Sequence, residues 1–444
     1  MLVPIIPFEP QSPDHKNRQA EAITFVNRHI SRDSQDDPKV REISEAIVEK
    51  VRKEGDAALF AYTKEFDKAA LNANKIKVTQ AEINEALAQI SKELKATISR
   101  AADRIRLYHL RQRQNSWFDT SKEGEILGQL VRPVDAAGVY VPGGTAAYPS
   151  SVLMNIIPAQ VAGVERIVVA TPPDPTGKIY PTTLAAAAEA GATEIYKMGG
   201  AQAIAALAFG TETVPRVDKI VGPGNIYVTM AKRAVFGYVG IDSIAGPSEI
   251  TIVADNTASP AFVAADMLSQ AEHDERSASI LVTDSQALAE TVQEELTRQA
   301  AVLDRKDIIN VSLKNNGLMV LTDNIRDALH VSNAIAPEHL EICTANPFDA
   351  LTYVRHAGAV FLGNYTPEPL GDYMAGPNHV LPTDATARFF SPLSVDDFIK
   401  KTSVLSFSQE AMEKLRKDVV LFARSEGLDA HANAVEMRKM GGHS

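Results

Sequence analysis

Lys219-Ile220-Val221-Gly222-Pro223-Gly224-Asn225 decides the fold class. A short run with two β-branched residues breaks into two glycines around a proline and then meets an asparagine, which is the pattern of a strand, a turn and a helix start. Working outward, the same beat recurs. Strands are expected at 138–141, 166–170, 194–198 and 219–221, with helices at 151–162, 182–190, 201–209 and 227–236. Beyond Ser248 it resumes, with strands at 250–253, 279–282, 309–311, 318–321, 340–343 and 359–362. Helices at 260–270, 286–300, 324–332 and 348–356 lie between them. Strands that are apolar throughout belong under helices on both faces, so the fold class is α/β with largely parallel sheets. Residues 18–117 are polar, charged and helical in period, giving a helical N-terminal region, as in Val40-Arg41-Glu42-Ile43-Ser44-Glu45-Ala46-Ile47-Val48. The chain turns helical again at 395–400 and 409–426, a small C-terminal helical appendage.

A chain of 444 residues exceeds one ordinary core, which stops growing near roughly 250–300 residues, and implies two domains. The formal charge of -11 argues against nucleic acid and against an anionic membrane surface as partners, leaving a small-molecule substrate. One cysteine, Cys343, cannot form an intrachain disulfide; it fits a reducing cytoplasm and reads as a buried small hydrophobe. Met1-Leu2-Val3-Pro4-Ile5-Ile6-Pro7 lacks a basic leader and carries two prolines, so no signal peptide is expected. The uncharged stretch 136–164 is long enough to span a bilayer, but Pro142, Gly143, Gly144, Pro149 and Pro158 break it into strand, loop and helix.

Three loops stand where strands end and helices begin: Tyr140-Val141-Pro142-Gly143-Gly144-Thr145, Gly199-Gly200-Ala201-Gln202 and Gly222-Pro223-Gly224-Asn225. Backbone N–H groups and a positive helix end there suit a nucleotide pyrophosphate, although Asn225 could equally be a plain helix cap and no G-x-G-x-x-G is present. Gln270 and His273 are three residues apart at a helix end and can converge on one ion; on chemistry alone Glu272 or Asp274 would be the better partner for the histidine. Asp372 follows a glycine in an irregular stretch, and His431 follows a helix. Taken on separate segments of one chain, these polar residues read as a metal site. Pro337-Glu338-His339 precedes a strand, where adjacent side chains diverge, so Glu338 and His339 would serve different atoms in separate proton transfers.

Set together, these residues resemble the histidinol dehydrogenase family from about Val131 to Arg438. The strings that carry the resemblance include Val139-Tyr140-Val141-Pro142-Gly143-Gly144, Tyr148-Pro149-Ser150-Ser151-Val152-Leu153-Met154, Gly199-Gly200-Ala201-Gln202-Ala203, Gly222-Pro223-Gly224-Asn225 and Ala245-Gly246-Pro247-Ser248-Glu249. Ala336-Pro337-Glu338-His339-Leu340, Gly376-Pro377-Asn378-His379-Val380-Leu381-Pro382-Thr383 and Glu426-Gly427-Leu428 complete them. The resemblance implies an NAD-dependent, zinc-containing oxidoreductase that converts L-histidinol to L-histidine through histidinal, in two hydride transfers. It implies zinc on Gln270, His273, Asp372 and His431, which decides for Gln270 over its acidic neighbours. It implies NAD contacts at Tyr140, Gln202 and Asn225. Substrate contacts are implied at Ser248, His379 and Glu426, with Gln270, His273, His339, Asp372 and His431 also facing the substrate. His339 would be the base for the alcohol and hydrate protons, and Glu338 the base for water.

The implied organisation is a cytoplasmic homodimer of two Rossmann-like domains. Residues 1–31 would form an arm, 32–135 with 248–393 the larger domain holding metal and catalytic groups, and 136–247 the NAD domain. Residues 394–444 would cross to the partner subunit, so that Glu426 and His431 serve the other site. A related dehydrogenase of another small amino alcohol or diol is the alternative, disfavoured by the joint presence of Glu426, His379 and His431. Thr383-Asp384-Ala385-Thr386 departs from the family pattern by lacking the glycine expected in that turn.

Overall fold

A computed structural model describes residues 3–30, 37–143 and 147–438. Gly144 and Thr145 of the first expected nucleotide loop lie outside the described residues. By contacts the chain divides into two units, residues 1–112 with 135–398, and residues 113–134 with 399–444.

The first unit holds two parallel sheets. The smaller has the spatial order Glu194–Lys197, Arg166–Thr171, Ala136–Tyr140, Lys219–Val221, Gly240–Ile241. The larger runs Ile5–Pro7, Gly317–Leu321, Ala278–Thr283, Glu249–Ala254, His339–Cys343, Ala359–Leu362, again parallel throughout. In both, the strand that opens the βα run lies in the middle, the next two extend to one side and the following two to the other. The larger sheet adds Ile5–Pro7 as an edge strand beyond that pattern. The α/β reading with largely parallel sheets is therefore what the chain adopts.

Apolar runs pack on both faces, as expected for covered parallel strands. On the larger sheet, Ile250, Ile252, Leu281 and Met319 meet the helices Pro260–Ala271 and Gln286–Ala300. Their sequence neighbours Val253, Ile280, Val282, Leu318 and Val320 meet His15–His29 and Ile325–Ile335 on the other face. Arg18 clamps that second pair of helices, its guanidinium 2.5 Å from the fully buried Asp327 carboxylate. Cys343 is free and buried. The uncharged stretch resolves into the strand Ala136–Tyr140 and the helix Pro149–Ala162, and no described helix is long and apolar enough to cross a membrane.

Two expected elements differ. Residues 309–311, read as a strand from Ile309 and Val311, lie in the helix Lys306–Asn316. The buried positions there are Ile309, Ser312 and Leu313, a three- and four-residue spacing that outweighs β-branched propensity. The expected helix at 395–400 is a single tight turn, Val395–Phe398, that runs into the strand Ile399–Phe407.

In the second unit that strand pairs antiparallel along Glu125–Pro133, which in turn pairs with Trp117–Asp119. The helix Gln409–Ser425 follows and packs on Asp429–Glu436 through Val420, Ala423 and Ala432. Arg416 ties the two helices by bridging Glu413 and Glu436.

Candidate active site

The site grows from the amino ends of two adjacent strands of the larger sheet, Glu249–Ala254 and His339–Cys343. The Glu249 backbone N–H donates to Glu338 Oε2 at 3.0 Å. Its carbonyl lies 3.1 Å from His339 Nδ1. A carbonyl only accepts, so Nδ1 carries the proton and Nε2 keeps its lone pair. Nε2 is buried and has no hydrogen-bond partner. Burial pushes the His339 imidazole down to about 4, so the ring is neutral at pH 7. Burial raises the Glu338 carboxyl well above the usual range, and the Glu249, Asp372 and Glu368 carboxylates add to the rise against the Glu249 N–H.

Glu338 and His339 do not diverge as strand geometry would have them do. Glu338 Oε2 lies 3.6 Å from His339 Nδ1, because the strand begins only at His339 and Glu338 precedes its alternation. Entry to that segment passes through Ala336, which is fully buried with left-handed backbone (φ 51°) and caps the helix Ile325–Ile335. A non-glycine there costs about 1 kcal/mol or more, a local strain of the kind found at functional sites.

Around these two residues lies a ring of acids. Ligand atoms of His339, Glu368 and Asp372 all fall within 4.8 Å of one another, close enough to share a cation. Burial and the Asp372 carboxylate raise Glu368 to about 9. Glu341, on the same strand as His339, accepts from the Glu368 N–H at 2.8 Å. It is raised well above the usual range by burial and by Asp266, which is itself pushed up to about 6 by burial. Among the described residues no Lys or Arg pairs with Glu338, Glu341, Glu368 or Asp372, so the negative charge awaits protons or a cation.

Gln270 stands one helical turn after Asp266 and is fully buried, with neither amide atom hydrogen-bonded. Such an amide is costly unless something else satisfies it. His273 follows the helix end, its N–H bonded to the Gln270 carbonyl at 3.2 Å, and it weighs electrostatically against protonation of both His339 and His379. Asp372 sits in the π-helical turn Gly371–Ala375, and its Oδ1 is 3.6 Å from His379 Nδ1. His339, Asp372 and His379 line one cavity of about 500 Å³. Ser248 lies just before Glu249 and lines a separate cavity of about 350 Å³ that shares no lining residue with the first. Glu426 and His431 belong to the second unit, where both are exposed.

The expected nucleotide residues share a cavity of about 830 Å³ at the carboxyl edge of the smaller sheet. The Tyr140 hydroxyl accepts from the Gly200 N–H at 3.1 Å. Gln202 is fully buried with an unpartnered amide. Asn225 does cap its helix, its Oδ1 accepting from Tyr227 and Val228 at 3.1 Å, while its side chain still lines the cavity. Gly222 allows the close crossing beneath: a Cβ there would meet the Tyr140 carbonyl oxygen at 2.1 Å.

Asp266, Glu341 and Glu368 were not expected at the site. Glu341 could have been found, since a carboxylate within an otherwise apolar buried strand demands a reason. Glu249 could not, because it acts on Glu338 and His339 through its backbone.

The family model for histidinol dehydrogenase matches residues 30–439. Histidinol dehydrogenase of Bacillus licheniformis is 56% identical over 398 residues, covering 90% of this chain and 93% of its own. That of Geobacillus kaustophilus is 56% identical over 392 residues, covering 88% and 92%. The crystal structure of histidinol dehydrogenase from Elizabethkingia anophelis superposes with a TM-score of 0.91 at 39% identity, covering 98% of each chain. A match of this extent in sequence and in fold, around a buried Glu-His pair and its ring of acids, places the chain in the histidinol dehydrogenase family of oxidoreductases.

Proposed function

We propose that the chain is an NAD-dependent, zinc-containing L-histidinol dehydrogenase that carries L-histidinol through histidinal to L-histidine, the last steps of histidine biosynthesis, in the cytoplasm. The observation that carries this reading is His339: a buried neutral imidazole, fixed through Nδ1, with its Nε2 lone pair free of any hydrogen bond. A base held this way suits an alcohol proton.

The metal fits. Gln270, His273 and Asp372, with the partner subunit's His431, would hold zinc, and the orphaned Gln270 amide beside uncompensated carboxylates is the local reason. Zinc when bound orients the substrate and lowers the charge cost of the acid ring. Glu368 stands beside Asp372 and would hold that ligand in place. Ser248, His379 and Glu426 would contact the substrate.

The nucleotide fits as well. Strand order in the smaller sheet reverses beside Ala136–Tyr140, and the loops after it and after Lys219–Val221 flank that switch point, where α/β sheets bind nucleotides. This supports residues 136–247 as a Rossmann-like domain with Tyr140, Gln202 and Asn225 on NAD. Bound NAD supplies the hydride acceptor, once in each oxidation.

In the first oxidation His339 Nε2 takes the hydroxyl proton as the carbon gives up hydride. His339 then returns the proton to solvent. Glu338 takes a proton from water as the oxygen adds to the aldehyde carbon, and His339 takes the hydrate proton in the second oxidation. Each histidinol, with one water and two oxidised nucleotides, thus yields one histidine carboxylate, two reduced nucleotides and three protons. Glu338 needs its proton removed for this, and a cation among the acids lowers its value in that direction.

Dimerisation has its own support. The second unit leaves Leu405, Leu421 and Phe422 at least 67% exposed, an apolar display that suits a partner subunit.

The test is NADH formation from L-histidinol before and after chelation and zinc restoration. Two NADH per substrate with zinc-dependent turnover is expected. No NADH from histidinol by the zinc-loaded dimer would sink the substrate and favour another amino alcohol or diol.

A further inference from the structure

The cavity around Tyr140, Gln202 and Asn225 has an acid in its wall that comes from outside the expected nucleotide domain. Asp67 ends the helix Asp56–Phe66 in the helical N-terminal region and lines the cavity. Its Oδ2 is buried with no hydrogen-bond partner. The adjacent Lys68, which also lines the cavity, adopts left-handed backbone (φ 57°), and its Nζ donates to the Glu65 carbonyl at 2.7 Å. Among the described residues Asp67 forms no ion pair. Its Oδ1 faces Gly199, whose N–H draws the carboxyl down while burial pushes it up to about 6. Gly200, next in the chain, donates to the Tyr140 hydroxyl. One turn therefore carries both Asp67 and Tyr140.

A partly buried carboxylate with a free oxygen accepts hydroxyl donors and repels phosphate. This cavity shares no lining residue with the one around His339, Asp372 and His379. The reacting end of a dinucleotide must reach His339, so its other end is the one that lies beside Asp67. We propose that Asp67 accepts from the vicinal hydroxyls of the adenosine ribose of NAD and thereby excludes a nucleotide with a 2′-phosphate. The proposal rests on the use of NAD argued above.

The experiment titrates the zinc-loaded full-length protein with NADH, NADPH and the 2′-deoxy analogue of NADH, following nucleotide fluorescence. The same is done for Asp67→Asn and Asp67→Ser, each checked for zinc content and thermal midpoint. Expected is NADH binding at least about tenfold tighter than either other nucleotide in the unaltered protein, from loss of a hydrogen bond to a charged acceptor or gain of phosphate repulsion. In both variants NADH should weaken about tenfold and the three affinities should converge. Equal binding of NADH and its 2′-deoxy analogue by the unaltered protein would overturn the assignment without any variant. A uniform weakening of all three nucleotides in the variants would overturn it too. Binding of no nucleotide at all by the unaltered protein would remove the NAD reading and this inference together.

Discussion

His339 and Glu338 are divided by which groups touch them. The Glu249 carbonyl commits His339 Nδ1 to donate, leaving Nε2 as the base, and the Glu249 N–H holds Glu338 at the same backbone segment. His339→Ala should lower turnover roughly 10²–10⁴-fold with zinc still bound, as removal of a general base does. Glu338→Gln should slow histidinal oxidation more than histidinol oxidation, and equal losses on the two substrates would defeat the division of labour. The acid ring makes a second prediction. Burial lifts Glu338 and Glu341 well above the usual carboxylate range and Glu368 to about 9, so without metal Glu368 holds a proton at neutral pH. Zinc binding at pH 7 should release protons, measurable by calorimetry in buffers of different ionisation enthalpy; a heat independent of buffer would count against a cation in this ring. Because the folded value exceeds the unfolded one, the folded metal-free chain keeps a proton on Glu368 that its unfolded form has lost between about 4.5 and 9. That contribution to stability should fall as pH rises through the window, most plainly above about 6.5 where the depressed His339 no longer opposes it, and zinc should narrow the fall.

At the scale of elements, the turn Thr383-Asp384-Ala385-Thr386 answers the missing glycine. Asp384 and Ala385 both take left-handed backbone, with φ of 55° and 61°. The turn is held from outside: the Asp384 N–H donates to Glu249 Oε1 at 2.9 Å, and the Thr383 hydroxyl accepts from the Gly246 N–H at 2.5 Å. The strain at Ala385 is thus maintained by the same Glu249 that fixes the catalytic pair. Ala385→Gly should raise stability by roughly 1 kcal/mol in denaturant titration, since a Cβ in this conformation costs roughly 1–2 kcal/mol and glycine's greater unfolded freedom returns part of it. A lowered midpoint would show the turn to be relaxed. Elements were legible where one period dominated: strands 219–221 and 359–362 lie where the apolar runs placed them. The helix Lys306–Asn316 was not, because Ile308, Ile309 and Val311 favour a strand while burial follows the helical face.

For the whole molecule, the proposed sharing of sites makes a quantitative statement. If Glu426 and His431 complete the partner's site, chains carrying His339→Ala and chains carrying His431→Ala are each inactive alone. Mixed and reassembled, they should recover roughly a quarter of normal activity, because half of the dimers are mixed and each has one intact site. No recovery despite proven subunit exchange would place His431 on its own subunit's site or on none. The apolar side chains exposed on the second unit, Leu405, Leu421 and Phe422 among them, should become protected in the dimer.

The sequence by itself determined the class of fold and the family, because apolar runs and the Gly-Pro-Gly-Asn and Pro-Glu-His strings are local and survive without coordinates. It also named His339, Asp372 and His379, which the fold brings to one cavity. Only the tertiary structure decided which edge of the larger sheet bears the chemistry: Glu249 and His339 stand at the amino ends of their strands, the opposite edge from the nucleotide loops of the smaller sheet. It alone made Asp266, Glu341 and Glu368 neighbours, and gave His339 a proton on Nδ1 and a shift to about 4. The reason is physical. Strand period and turn chemistry are read from adjacent residues, whereas desolvation and charge coupling depend on groups far apart in the chain that meet only when the core closes.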